Sequence, residues 1–246
     1  MRILTLLTDF GNKDPYVGIM KGVVLSMVDT HIVDITHEIP HGDIRRAAFF
    51  LKYYPFYFPE GTVHLIVVDP TVGSERRGIV SLYKGHYFVA PDNGVLTPVL
   101  GEVYRIDREP ASHTFHGRDV FSPVAGELLL GEPLEKIGER IYDPVRIEFP
   151  VPVVNQDNIT GEVIIIDRFG NLITNIPSDN IGEGDFVEYR GYEIPIVMSY
   201  SDVEPGKPLA LVNSYGLLEI GINQGSAEAF FKGKIGDRIK IRRYHG

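Results

Sequence analysis

Val67-Val68-Asp69-Pro70-Thr71-Val72-Gly73-Ser74-Glu75-Arg76-Arg77-Gly78 is the stretch on which the reading of this chain turns. The apolar run from Val63 to Val68 reads as a buried strand. It ends on an acid, a proline and a glycine-containing turn that brings two arginines back towards that acid. In open α/β sheets ligands bind beyond the carboxyl ends of the strands, which makes Asp69 a candidate functional group. A plainer description fits the same residues, an Asp-Pro turn solvated by Arg76 or Arg77, and the stretch alone does not separate the two.

Upstream, the same grammar recurs. Ile3 to Leu7 is a short apolar run that stops at Thr8-Asp9-Phe10-Gly11, so a second strand end presents an acid. Asp14-Pro15 reads as an N-cap followed by proline at the first helical position, and Val17, Met20, Val24 and Met27 share one face of the helix after it. His31 to Ile35 gives another strand, His37 to Gly42 a polar loop, and Ile44 to Tyr54 a helix with Ala47, Ala48 and Leu51 inwards. Strands alternating with helices over short loops imply parallel strands and right-handed crossovers.

Downstream, the pattern changes. Ile79–Tyr83 and His86–Ala90 flank Lys84-Gly85 and read as a hairpin, so the sheet is mixed. Pro91 to Gly94 is a turn before a short helical segment, and Val103 to Ile106 a further strand. Thr114-Phe115-His116-Gly117-Arg118-Asp119 then stands directly before an apolar helix from about Phe121 to Leu130. A loop there exposes free backbone N–H groups and lets His116 reach a ligand, although a lone histidine is more often a surface or capping residue. At Phe149-Pro150-Val151-Pro152 the composition shifts to an extended linker. Beyond it, 161–167, 186–189, 192–197, 208–212, 217–220 and 235–242 read as short strands punctuated by glycine turns. The expected architecture is an α/β N-terminal domain, 1–152, with a mixed, mainly parallel sheet and flanking helices. A small antiparallel all-β, barrel-like C-terminal domain, 153–246, follows it. Two of its turns, Asp167-Arg168-Phe169-Gly170-Asn171 and Asn213-Ser214-Tyr215-Gly216, set an aromatic ring beside acid, amide or hydroxyl groups. Such sets hold an aromatic heterocycle or a zwitterion, and they also occur as ordinary turns.

Composition narrows the chemistry. The 246 residues are 43% hydrophobic, enough for one large core or two modest ones. A formal net charge of −9 argues against nucleic acid, since no basic stripe is left to neutralise phosphates. The absence of cysteine excludes disulfides, thiolate metal sites and a cysteine nucleophile. No run suits a signal peptide or a membrane span, so a soluble cytoplasmic protein is expected. Dinucleotide-loop, Walker A, zincin and nucleophile-elbow motifs are all missing. His116, Asp119 and Asp9 lack the spacing of a ligand set, and no metal is expected.

Taken together, these motifs resemble the S-adenosyl-L-methionine hydroxide adenosyltransferase family, relatives of fluorinase and chlorinase. The resemblance runs the length of the chain: Thr8-Asp9-Phe10-Gly11 with Asp14 and Tyr16-Val17-Gly18; Asp69-Pro70 through Arg76; Phe115 to Asp119; Phe169-Gly170-Asn171 with Thr174-Asn175; and Asn213-Ser214 with Gly216. It implies a homotrimer with active sites between subunits and hydrolysis of S-adenosyl-L-methionine to adenosine and methionine, with no cofactor. By the same resemblance Asp69, Arg76 and His116 form a triad that holds the attacking water or hydroxide. Asp9 takes the ribose hydroxyls, Asp14 and Asp167 the methionine ammonium, and Ser214 its carboxylate. Asn171 sits at the adenine, and Phe169, Tyr215 and Asn223 complete the substrate-binding set. Thr71 and Tyr215 are departures, standing where relatives carry a small residue, often glycine, and an arginine. Two alternatives accompany this expectation: a halide-using 5′-halo-5′-deoxyadenosine synthase on the same scaffold, and a non-catalytic adenosine or S-adenosyl-L-methionine sensor.

Overall fold

A computed structural model describes residues 1–244, which divide into two compact units, Met1–Glu148 and a second from Phe149 on. The first is built from β1 (Ile3–Thr8), α1 (Tyr16–Met27), β2 (His31–Thr36), α2 (Ile44–Leu51), β3 (Val63–Val67), β4 (Gly78–Tyr83), β5 (His86–Pro91), β6 (Glu102–Arg105), α3 (Ser122–Leu130), α4 (Leu134–Ile137) and β7 (Arg140–Ile141). The sheet order is β2-β1-β3-β5-β4-β6-β7. The pairs β1–β2, β1–β3 and β3–β5 are parallel, whereas β4 is antiparallel to both β5 and β6.

Because strand side chains alternate, the fully buried β1 supplies two cores at once. Leu4 and Leu6 pack with Met20 and Val24 of α1 and Val124 of α3, while Leu7 packs on the other face with Ala47 and Leu51 of α2. This is the mixed, helix-flanked sheet that the alternation of elements implies. The order also reverses at β1: the chain goes from β1 outwards to β2, then crosses back to β3 on the other side. That reversal is a topological switch point, and Thr8 is in register with Val67, so Asp9 and Asp69 leave neighbouring strands at their carboxyl ends.

Local differences from the sequence reading have local causes. Asp14 does not cap α1. Pro15 occupies the N-cap, and no side chain closes that end. Asp43 caps α2 instead, accepting from the Arg46 amide, and the helix ends at Leu51 because Pro55 breaks it into a 3-10 turn, Tyr54–Tyr57. The apolar helix begins earlier, with a π-helical turn over Gly117–Phe121 that runs into α3.

The second unit contains β8 (Val153–Val154), β9 (Asn158–Ile166), β10 (Leu172–Pro177), β11 (Phe186–Tyr189), β12 (Tyr192–Pro195), β13 (Pro208–Val212), β14 (Leu217–Ile222), α5 (Ala227–Phe231) and β15 (Arg238–Arg242). Its order is β12-β11-β15-β9-β10-β14-β13, with β8 added on β9, and the named strands pair antiparallel throughout. A bridge between Ile196 and Ala210 brings the two ends of the order together, which makes the sheet a nearly closed barrel. Its interior is Ile159, Val163, Leu172, Ile176, Val187, Leu218, Ile220 and Ile239. Strand β10 and the short α5 were not foreseen from the sequence, since Asn175 and Pro177 interrupt the apolar signal of the first and the second has only five residues.

Candidate active site

In the first unit, two side chains seven residues apart meet a third that lies forty positions further on. Asp69 follows the end of β3, Arg76 returns from the turn that Gly73 makes possible, and His116 stands at the start of the π-helical turn. The Arg76 guanidinium grips Asp69 two-fold: Nε donates to Oδ1 at 2.9 Å and Nη2 donates to Oδ2. Nη2 also lies 2.8 Å from His116 Nδ1. The Arg76 and Asp69 side chains are only 8% and 4% exposed, so the pair meets little bulk solvent, and the guanidinium lies over the Phe121 ring. Thr71 Oγ1 is a third donor to the Asp69 carboxylate, at 3.3 Å from Oδ1.

The protons in this cluster are fixed by chemistry. Arginine only donates, so His116 Nδ1 is an acceptor, and in the neutral imidazole the remaining proton is on Nε2. Burial first, and then the neighbouring Arg76 charge, hold His116 below the ordinary histidine pKa, against the opposing pull of Asp69 and Asp119. The ring is therefore neutral at pH 7, and its Nε2 is buried with no hydrogen-bond partner among the described residues. A cleft of about 640 Å³ between the 73–78 turn and the 105–113 segment reaches both Arg76 and His116.

Asp9 leaves the neighbouring strand. Its Oδ2 accepts from the Gly42 amide at 2.8 Å and lies 3.3 Å from the exposed His41. Asp14 is exposed just before α1. Phe10, Tyr16 and Phe115 form an edge-to-face cluster that fixes the segment before His116. Arg77, adjacent to Arg76, turns elsewhere: it donates to the buried Asp92 at 2.7 and 2.9 Å and to Asp143 at 3.0 Å.

In the second unit, Asp167, Phe169 and Asn171 share the β9–β10 turn. Asp167 Oδ1 accepts from the Phe169 and Asn171 amides, and Phe169 is 75% exposed. Ser214 and Tyr215 lie in the β13–β14 turn, which Asn213 Oδ1 holds by accepting from the Tyr215 and Leu217 amides. Asn223 is separate from these groups; its amide donates to Val203 O at 2.7 Å and closes the 203–207 turn. Glu219 and Tyr200 escaped the sequence reading. They join the two turns from beneath, and the signal for Glu219 was a charge inside an otherwise apolar strand, Leu217 to Ile222. Among the described residues no group of three or more His, Asp or Glu is placed to hold a metal ion. No helix among them is long and apolar enough to cross a membrane.

A switch-point Asp–Arg–His cluster on an α/β unit, followed by a barrel-like unit, describes a class of small-molecule enzymes. Comparison with known proteins gives the family. Residues 4–138 match the SAM hydroxide adenosyltransferase N-terminal domain and residues 161–240 the corresponding C-terminal domain. The chain belongs to the SAM hydroxide adenosyltransferase family. It is 38% identical to an (R)-S-adenosyl-L-methionine hydrolase of Thermus thermophilus, over 98% of this chain and 100% of that one. It is also 38% identical to an (R)-S-adenosyl-L-methionine hydrolase of Methanocaldococcus jannaschii, covering 97% and 95%. A fluorinase of Actinopolyspora mzabensis is more distant, at 28% over 98% and 97%. Among solved structures, a conserved protein of Thermotoga maritima superposes with a TM-score of 0.89 at 38% identity, covering 99% of this chain and all of that one.

Proposed function

We propose that this protein is an enzyme that hydrolyses (R)-S-adenosyl-L-methionine to adenosine and L-methionine. The observation that carries the proposal is the buried Asp69–Arg76–His116 cluster, in a chain similar over nearly its full length to (R)-S-adenosyl-L-methionine hydrolases.

The reaction breaks the bond from C5′ to a sulfonium, and sulfur takes the bonding electrons as a neutral thioether. A leaving group of this kind needs no general acid, so the task is to hold a nucleophile in line with the breaking bond. Asp69 accepts a hydrogen bond from the attacking water and receives its proton as the C5′–O bond forms. Arg76 fixes the carboxylate's orientation, and His116, neutral, donates Nε2–H to the water oxygen. The cleft beside Arg76 and His116 supports a path for water to this position. Asp9 takes the ribose hydroxyls and Asp14 the methionine ammonium, shared with Asp167; Ser214 and Tyr215 receive the carboxylate, and Phe169 and Asn171 the adenine. The committed amide of Asn223 supports only an indirect role, through the 203–207 turn. No cofactor or metal enters this scheme.

We take 1–152 as the catalytic domain and 153–246 as the second domain, in a cytoplasmic homotrimer that binds neither nucleic acid nor membrane and whose subunits share substrate sites. The outward face of α1 supports association: Ile19 and Leu25 are exposed beside Gly18 and Gly22, and Lys21, the one charge in the helix, is paired with Asp34. The test is to incubate the purified protein with S-adenosyl-L-methionine, with and without chloride or fluoride, and to separate the products. Adenosine and methionine in equal amounts are expected. A 5′-halo-5′-deoxyadenosine would replace the proposal with the halide reaction, and binding without product would replace it with a sensor.

A further inference from the structure

Beneath the two turns of the second unit runs a chain of hydrogen bonds that links two carboxylates, Asp167 and Glu219, and ends on the Asn213 amide. Asp167 Oδ2 accepts from Asn171 Nδ2 at 3.1 Å, and the same Nδ2 donates to the Tyr200 hydroxyl at 3.1 Å. That hydroxyl donates to Glu219 Oε1, and Glu219 Oε2 accepts from Asn213 Nδ2 at 3.1 Å. Glu219 is 5% exposed and Asn171 6%, so the chain is buried at both of these points.

The direction of an amide side chain is set by its partners, and here they permit one order only. A carboxylate accepts and cannot donate, so the face of Asn171 towards Asp167 is its NH₂ group. The second proton of that group goes to the Tyr200 oxygen, because the phenol's own proton is committed to Glu219. Turning the amide over would set its oxygen against the Asp167 carboxylate. Tyr200 stays a donor at neutral pH, since burial first and then the Glu219 bond raise its pKa. The one hydrogen-bonding atom of the chain left without a partner among the described residues is Asn171 Oδ1. Gly221 keeps it uncovered: a Cβ there would stand 3.2 Å from Oδ1 and 2.9 Å from the Tyr200 ring.

We infer that Glu219 and Tyr200 are positioning residues that lock the Asn171 amide with its oxygen free, so that the site selects an N–H donor of the substrate at that point. This rests on the S-adenosyl-L-methionine reading and deepens it. The substrate carries two such donors, the exocyclic amino group of its purine and the ammonium of its amino acid. An oxo group in place of either would meet the Asn171 oxygen acceptor to acceptor.

Calorimetric binding to the full chain separates the two sources. Adenosine is compared with inosine, which exchanges the amino group for an oxo group, and methionine with 4-(methylthio)butanoate, which lacks the ammonium. The wild type should prefer the donor-bearing member of one pair by at least about tenfold. In Glu219→Gln, whose amide can donate to Tyr200 and release its proton towards Asn171, that preference should fall several-fold, and likewise in Tyr200→Phe. The other pair should keep its ratio, and the pair that changes names the donor. Unchanged ratios in both variants, or an equal loss of affinity for all four ligands, would overturn the inference while S-adenosyl-L-methionine turnover stands. No binding of any ligand by a wild type that also fails to turn over would overturn the inference together with the reading beneath it.

Discussion

Asp69 and Arg76 are close enough that a change in either is felt by both, and the expected effects differ from those at their neighbours. Asp69→Asn keeps the shape of the side chain but weakens its acceptance of the water proton. Turnover should fall by ~10²–10⁴-fold with substrate affinity little changed, as read by kcat and KM separately; a pure loss of affinity would contradict the assignment. Arg76→Ala should lower kcat comparably, whereas Arg77→Ala should leave kcat largely intact. Arg77 nevertheless matters to the fold, because its removal strips the buried Asp92 carboxylate of its guanidinium; a loss of about 3 kcal/mol in chemical denaturation is expected. For His116 the sign follows from its depressed pKa. The neutral ring survives acidification through 6.5, so the acid limb of kcat/KM should lie below that value. A limb at or above 6.5 would contradict a neutral, buried His116. Asp69 was legible as a candidate because a strand ran into it, and Arg76 because the turn brought it back; choosing Arg76 over Arg77 took the family resemblance. His116 was legible only as a residue before a helix, since a contact across 40 positions leaves no periodic trace.

The β9–β10 turn holds Asp167 and Asn171 in place because Gly170 has φ +81 and lies against Ser226. A Cβ at 170 would sit 2.0 Å from Ser226 Oγ, and a positive φ is strained for any L side chain, so Gly170→Ala should cost about 1–3 kcal/mol and weaken substrate binding more than it lowers kcat. Titration calorimetry with adenosine checks this, and an unaltered affinity would detach the turn from the ligand. Strands with clean alternation or full burial were legible in the sequence, as β1, β3 and the β4–β5 hairpin show. Those that work through exceptions were not. Strand β10 breaks its apolar run at Asn175, whose side chain is spent on the Glu162 amide and Pro150 carbonyl. Likewise α1 lacks the side-chain cap that Asp14 suggested, and its burial of Val17, Met20 and Val24 holds it in place instead.

At the scale of the whole molecule, the first unit contains an acid-sensitive core that the site does not use. Thr5 Oγ1 lies 2.7 Å from His64 Nδ1, and His64 Nε2 lies 3.1 Å from His86 Nδ1. Burial pushes His64 down to about 3 and also depresses His86. An unfolded chain therefore takes up protons from pH 6.5 downwards that the folded one refuses, so stability is full above 6.5 and falls with acidification towards 3. For His64 the slope is ~1 kcal/mol per pH unit, and the unfolding midpoint should drop between pH 7 and pH 5. A flat profile over that range would contradict the neutral pair. The proposed trimer is checked by scattering mass, with Leu25→Glu expected to shift it towards a monomer. Attack on C5′ by water, rather than by halide or by no nucleophile, is measured directly by turnover of S-adenosyl-L-methionine in oxygen-18 water. One labelled oxygen is expected in the 5′-hydroxyl of adenosine and none in methionine; unlabelled adenosine, or bound substrate recovered intact, would rule out attack by water.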